Sequence, residues 1–134
     1  MREIRFRGKR IDNGKWVYGG YLLERDGQVY IARPWLNGSK PLEWLVDRKT
    51  VGEWTGLTDK NKVDVYGGDI LARPYGEMGV CVWDERQAGY YLKMLNGEFE
   101  GRHLPLIAEN VEHHEVIAGN VHDNPELLEG SHAD

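Results

Sequence analysis

His113 and His114 stand side by side between Glu112 and Glu115, with His122 a short way on. Imidazoles and carboxylates grouped like this are the chain's nearest approach to a metal site. Read as part of the strand that runs on through 115–122, however, neighbouring residues project to opposite faces. The two histidines then reach one ion only across a bulge, and His122 lies beyond a full strand, so we expect no metal. Paired carboxylates are the next candidates. Glu98 and Glu100 share a face if their segment is extended, and Asp84-Glu85 follows a strand. General acid–base work needs a cleft that shifts a pKa, and neither pair has an apolar setting that would supply one. Ser39 and Ser131 are the only serines and neither sits in a G-x-S-x-G turn. The single cysteine, Cys81, lies in the apolar run Val80-Cys81-Val82-Trp83 and reads as a buried, inert thiol. These residues assign no catalytic group and no cofactor, and the chain reads as non-enzymatic.

The residues left to explain are arginines and aromatics. Arg2, Arg5, Arg7, Lys9 and Arg10 interleave with Phe6 at the amino terminus. Small barrels bind nucleic acid through strand faces that mix cations with stacking platforms, which makes Arg5, Arg7 and Arg10 the candidate contacts for that function. The same alternation also fits the solvent side of a strand. The net charge of −5 opposes a phosphate backbone. The five Trp and seven Tyr exceed what a core of this size needs. Trp35, Trp44, Tyr75, Tyr90 and Tyr91 occupy loop or strand-edge settings and are expected at a surface, where such rings favour protein partners. Self-association would consume the same surface.

These side chains need a scaffold, and its punctuation is that of an all-β chain. The 134 residues, 40% apolar and 29% charged, suit one domain. Seventeen glycines serve turns and bulges. The amino terminus has no apolar leader, and no window approaches a membrane span. Strand-like stretches recur at 4–7, 15–24 with a bend at Gly19-Gly20, 28–32, 50–54, 63–66, 69–73, 79–83, 89–94 and 115–122, separated by turn signals. The prolines at 34 and 41 suggest a loop, with one helical turn over 42–47. Residues 95–110 read as an Asn-Gly hairpin turn and an irregular segment, and Asn124-Pro125 opens a last helical turn. This rhythm predicts a small barrel or sandwich. From Gly68-Asp69-Ile70-Leu71 onward it has the cadence of an SH3-like barrel, in which Asp69 accepts hydrogen bonds from the turn backbone.

Charge is uneven along the chain. Residues 1–66 hold 13 Lys and Arg against 9 Asp and Glu, a balance of +4, and residues 67–134 hold 4 against 13, a balance of −9. Attraction of basic for acidic surface could be satisfied within a chain or head to tail between chains.

The segment 52–71, GEWTGLTDKNKVDVYGGDIL, ties these pieces together. Thr55, Gly56, Leu57, Asp59, Lys60, Asn61, Tyr66, Gly68, Asp69 and Ile70 resemble, one by one, the T-G-L-x-D-K-N-G and I-Y-E-G-D-I runs of the YopX family of phage and prophage proteins. The amino-terminal FRGKRIDNGKWVYG and the carboxy-terminal VIAGNVHDNPELL are similar to that family's ends. Two positions depart. Lys62 stands where the family has Gly, so the loop is expected to widen or to be held by Asn61 in a left-handed conformation. Gly67 replaces an acidic residue. The resemblance implies one all-β, YopX-like domain over 1–130, with a basic β part (1–66), an SH3-like barrel part (67–130) and a disordered tail (131–134). It also implies a tendency to form homo-oligomers in the cytoplasm of a bacterial host, while the host or phage protein partner is the expectation that the aromatic surface carries. It implies no activity.

Overall fold

Turn residues cut this chain into short strands. Its computed structural model describes residues 3–33 and 42–132. Among the described residues it forms twelve strands, one short α-helix and two 3-10 segments. The fold is all-β, as expected. The chain divides between Trp54 and Thr55 into two compact units, each with an apolar core. The division lies upstream of residue 66, where the charge balance was read to change sign.

In the first unit β1 (Phe6–Lys9) and β2 (Trp16–Gly19) form an antiparallel hairpin. Its turn is held by Asn13, whose Oδ1 accepts from the Lys15 amide at 2.9 Å. β3 (Tyr21–Arg25), β4 (Gln28–Arg33) and β5 (Leu42–Val46) form a three-stranded sheet in that order. The stretch 15–24, expected to be one bent strand, is therefore two strands with different partners. Gly19 passes so close to β4 that a Cβ there would stand 2.3 Å from the Ala32 carbonyl oxygen. The chain leaves β1 at that crossing and enters the second sheet.

The helical turn expected over 42–47 is instead strand β5, because every residue from Leu42 to Val46 finds a partner on β4. The helical turn comes next, at Arg48–Thr50, where Asp47 Oδ1 accepts from the Lys49 amide. Val29, Ile31 and Val46 form the core, with Phe6, Val17, Trp44 and Val51 packed around them. β5 does not present an open edge. Val46 bridges to Arg10, the Ile11 amide bonds the Leu45 carbonyl, and the Asp47 amide bonds the Lys9 carbonyl.

β6 (Gly52–Thr58) contains the division. Gly52 and Glu53 pair with β1, and its distal half neighbours β7 (Asp64–Tyr66), where the Thr55 hydroxyl donates to the Val65 carbonyl. In the second unit β8 (Asp69–Ala72), β9 (Met78–Asp84), β10 (Gly89–Met94) and β11 (His103–Pro105) run as a meander. A single helix, α1 (Ala108–His114), then leads into β12 (Val116–Asn120), which returns to pair with β8. The resulting order β11-β10-β9-β8-β12 is that of an SH3-like barrel: four consecutive strands, a helical connection, and a fifth strand beside the first. Val65, Leu71, Cys81, Leu92, Met94 and Val111 fill its core, each large side chain contributing about 1.5–3 kcal/mol by leaving water. Pro125–His132 closes the described chain as a 3-10 helix, and residues 133–134 of the expected tail lie outside the described residues.

Candidate functional site

The buried carboxylates are the first place to look for chemistry, and each is occupied by backbone or by an ion pair. Asp59 Oδ1 accepts from the amides of Asn61 (2.8 Å) and Val63 (3.0 Å), and Oδ2 from Ile117 (3.0 Å). One side chain thereby ties the 59–62 turn to β12. The left-handed residue of that turn is Lys62, with φ 65°, and not Asn61, whose left-handed conformation was one of the two adjustments expected there, the other being a wider loop. Asp59 reaches the turn's amides directly, which fixes the loop even with a side chain at the Gly position. Asp69 accepts from the Tyr66 amide at 2.8 Å, the turn-fixing role read from the sequence. Glu115 is buried and receives Arg73 Nε at 3.2 Å, while its backbone carbonyl accepts from Lys60.

His113 and His114 lie in the last turn of α1, not on a strand. The segment 108–114 buries only Val111, so no helical periodicity announces it. Among the described residues no three of His, Cys, Asp and Glu are grouped as a metal ion requires. No helix there is long and apolar enough to cross a membrane. Asp84 receives His103 Nδ1 and Gln87 Nε2, each at 3.2 Å, and the His103 bond first, then Gln87, lowers its pKa below the ordinary value.

The aromatic candidates have different settings. Tyr75 is 94% exposed in the turn after β8. Tyr90 and Tyr91 are consecutive on β10 and face opposite ways. Tyr90 packs on the barrel core and edge-on to Trp83, with ring centroids 5.2 Å apart, whereas the Tyr91 hydroxyl donates to Gln87 Oε1 at 2.9 Å. Trp44 is half-buried on β5 under the Arg33 guanidinium. Trp35 lies outside the described residues. Trp83, half exposed beside Tyr90, was not singled out from the sequence, though its place at the end of a Val-Cys-Val run is the signal for a ring at the end of a core strand.

The basic candidates are engaged. Arg5 lies 3.8 Å over Trp54 and pairs with Glu3 at 3.0 Å. Arg7 is only 7% exposed and stacks over Trp16. Arg10 grips Asp12 through two bonds, 2.9 and 2.6 Å, and Arg10 draws the Asp12 pKa down.

A different feature stands unoccupied: the outer edge of β3. All five of its residues are exposed, and among the described residues no strand lies beyond it. Tyr21, Leu22 and Leu23 show 54, 41 and 37% of their surfaces. Leu22, Leu23 and Glu24 form one wall of an open groove of about 270 Å3 that Val29, Arg48 and Val51 complete. The β3–β4 turn, Asp26-Gly27, has positive φ at both residues (53° and 78°), the two-residue geometry matched to strand twist. In such a hairpin Arg25 and Gln28 bond each other and the pattern alternates, so Leu22 and Glu24 point their N–H and C=O groups away from β4. The sequence held a signal for this site. Leu22 and Leu23 place apolar groups on both faces of the strand, and the Glu24-Arg25 pair that follows them keeps it from reading as a strand buried on both.

Comparison with known proteins supports the architecture. A family profile described as YopX protein matches residues 5–129. The crystal structure of protein EF1440 from Enterococcus faecalis is similar with a TM-score of 0.58 at 19% identity, over 96% of this chain and 99% of that one. That is a likeness of fold. No curated protein matches.

Proposed function

The chain belongs to the YopX family, and from that premise we propose that it is a non-enzymatic phage or prophage accessory protein. It acts in the cytoplasm of the bacterial host as a homo-oligomeric protein-interaction module. The observation that supports this reading is the exposed apolar edge of β3. Unprotected strand edges pair with other strands, and folded chains blunt them with charges, Pro or bulges unless the edge is used. Here the buried carboxylates serve backbone and ion pairs, while the surface offers leucines, tyrosines and open peptide groups. Light scattering on the purified chain should give a mass several times 15.4 kDa; a monomer at micromolar concentration overturns the reading.

Nucleic-acid binding through the basic amino-terminal strand is the second reading, favoured by the stacking of Arg5 on Trp54 and Arg7 on Trp16. It stands behind the first because Arg5 and Arg10 already meet carboxylates and Arg7 is buried. Each such contact leaves less positive potential for phosphate. A low-salt anisotropy titration with single-stranded DNA separates the two: binding that falls steeply with salt and is lost in an Arg5→Gln, Arg10→Gln double variant would promote it, and a flat titration removes it.

A further inference from the structure

We infer that β3 is the seam of the self-association proposed above, and that it pairs antiparallel with β3 of a second copy about a two-fold axis through Leu23. The inference rests on the homo-oligomer reading and deepens it by naming surface, occupant and register. The occupant must be extended, because the open edge offers the peptide groups of Leu22 and Glu24 in ladder spacing. Strand addition at an edge draws its affinity from such groups and its selectivity from the side chains opposite. What those side chains select is their own sequence.

With Leu23 on the axis, Leu22 faces Glu24 of the second copy. Both residues turn their N–H and C=O outward, so the two symmetry-related pairs close the hydrogen-bonded positions of the new ladder. Leu23 meets Leu23, and Tyr21 meets Arg25, at the close-spaced positions in between. That places two guanidiniums against two phenol rings, an attractive pairing. Arg25 is already steadied by Glu43 and stacked 4.6 Å over Tyr30. All five residues of each strand are used and no like charges face each other. Moving the axis to Glu24 would oppose two carboxylates directly, and moving it to Leu22 would leave Arg25 without a partner. A peptide of either net charge gains no comparable match from a strand carrying one acid and one base. The paired edges would join the two sheets into one of six strands, β5-β4-β3-β3-β4-β5.

The register makes a covalent test possible. Directly opposed residues at the close-spaced positions have Cα atoms about 4.5 Å apart, inside the range a disulfide spans. The full-length Leu23→Cys variant, mildly oxidised, should run as a dimer on a non-reducing gel, while Leu22→Cys, which faces Glu24, should stay largely uncrosslinked. Buried Cys81 is common to both variants. Glu24→Pro supplies an independent arm, since proline is tolerated where an edge amide points to solvent but removes a seam donor. Its scattering mass should fall to half the wild-type value or less with the circular dichroism spectrum kept. If wild-type chain is itself monomeric, the homo-oligomer reading fails and the seam with it. If wild type is oligomeric but Leu23→Cys does not crosslink, or Leu22→Cys crosslinks in its place, the seam is overturned and the broader reading stands. Unchanged mass in a folded Glu24→Pro variant also overturns it.

Discussion

Asp59 gathers three backbone amides onto one buried carboxylate. Removing it takes the acceptor from three amides at once, and an amide left unpaired away from water costs roughly 1–3 kcal/mol. Asp59→Ala should therefore lower the unfolding free energy by about 2–4 kcal/mol in urea titrations, with Asp59→Asn intermediate because one acceptor oxygen survives. A cost below about 0.5 kcal/mol would show that water replaces the carboxylate. Lys62 tests the same turn from the opposite side. Its φ of 65° lies where a side chain strains the backbone by about 1–2 kcal/mol, and glycine returns part of that gain to the unfolded chain. Lys62→Gly is expected to stabilise the protein by about 0.5–1 kcal/mol, read by the same titration. Both residues were conspicuous in the sequence, since an acid and a glycine position flanking a polar turn are legible as backbone chemistry. That Lys62 rather than Asn61 takes the left-handed conformation was not legible, because the choice is set by where Asp59 sits.

Elements became legible in proportion to how locally they are determined. The β9–β10 hairpin, the Asp69 turn and the amino-terminal hairpin announce themselves through turn residues and apolar alternation within a few positions. β5 does not, because residues 42–46 become a strand only when β4 offers an edge. α1 is short, buries a single valine and lacks a side-chain cap, so the order of the barrel around it fixes it more than its composition does. β3 was read as the far half of another strand, since the contact of Gly19 with β4 that separates them is invisible in one dimension. The β9–β11 face carries a prediction of its own. Asp84 on β9 bonds His103 on β11 and Gln87 in the hairpin turn, and its carboxyl titrates below the ordinary 3.8. A carboxyl depressed in the folded state lends stability above its unfolded pKa and loses that contribution as pH falls through the folded value. In a carbon-detected NMR titration His103→Ala should move the Asp84 midpoint up toward 3.8. An unmoved midpoint would mean that Gln87 and the turn amides alone hold it.

At the scale of the whole molecule, two forces could build an oligomer from this chain, and they respond oppositely to salt. The balance of +4 over residues 1–66 and −9 over residues 67–134 suits head-to-tail attraction, which acts through solvent and fades as the Debye length shrinks from about 30 Å at 0.01 M to about 3 Å at 1 M. A β3 seam is made of backbone hydrogen bonds, opposed leucines and stacked Tyr–Arg pairs, whose contact-range terms salt screens weakly. The seam has the advantage of range: Arg10, Arg25 and Arg48 are each held by a carboxylate of their own unit, and the +4 balance, already net of those acids, acts only as a diffuse field that salt screens. Weight-averaged mass measured by light scattering should therefore stay constant between about 0.05 and 1 M sodium chloride. It should fall instead when Leu23 is replaced by Lys, which puts two like charges at the close-spaced centre of the seam. A mass that halves on adding salt and is indifferent to Leu23→Lys would assign assembly to the charge asymmetry, and would leave the open edge of β3 to some partner other than the chain itself.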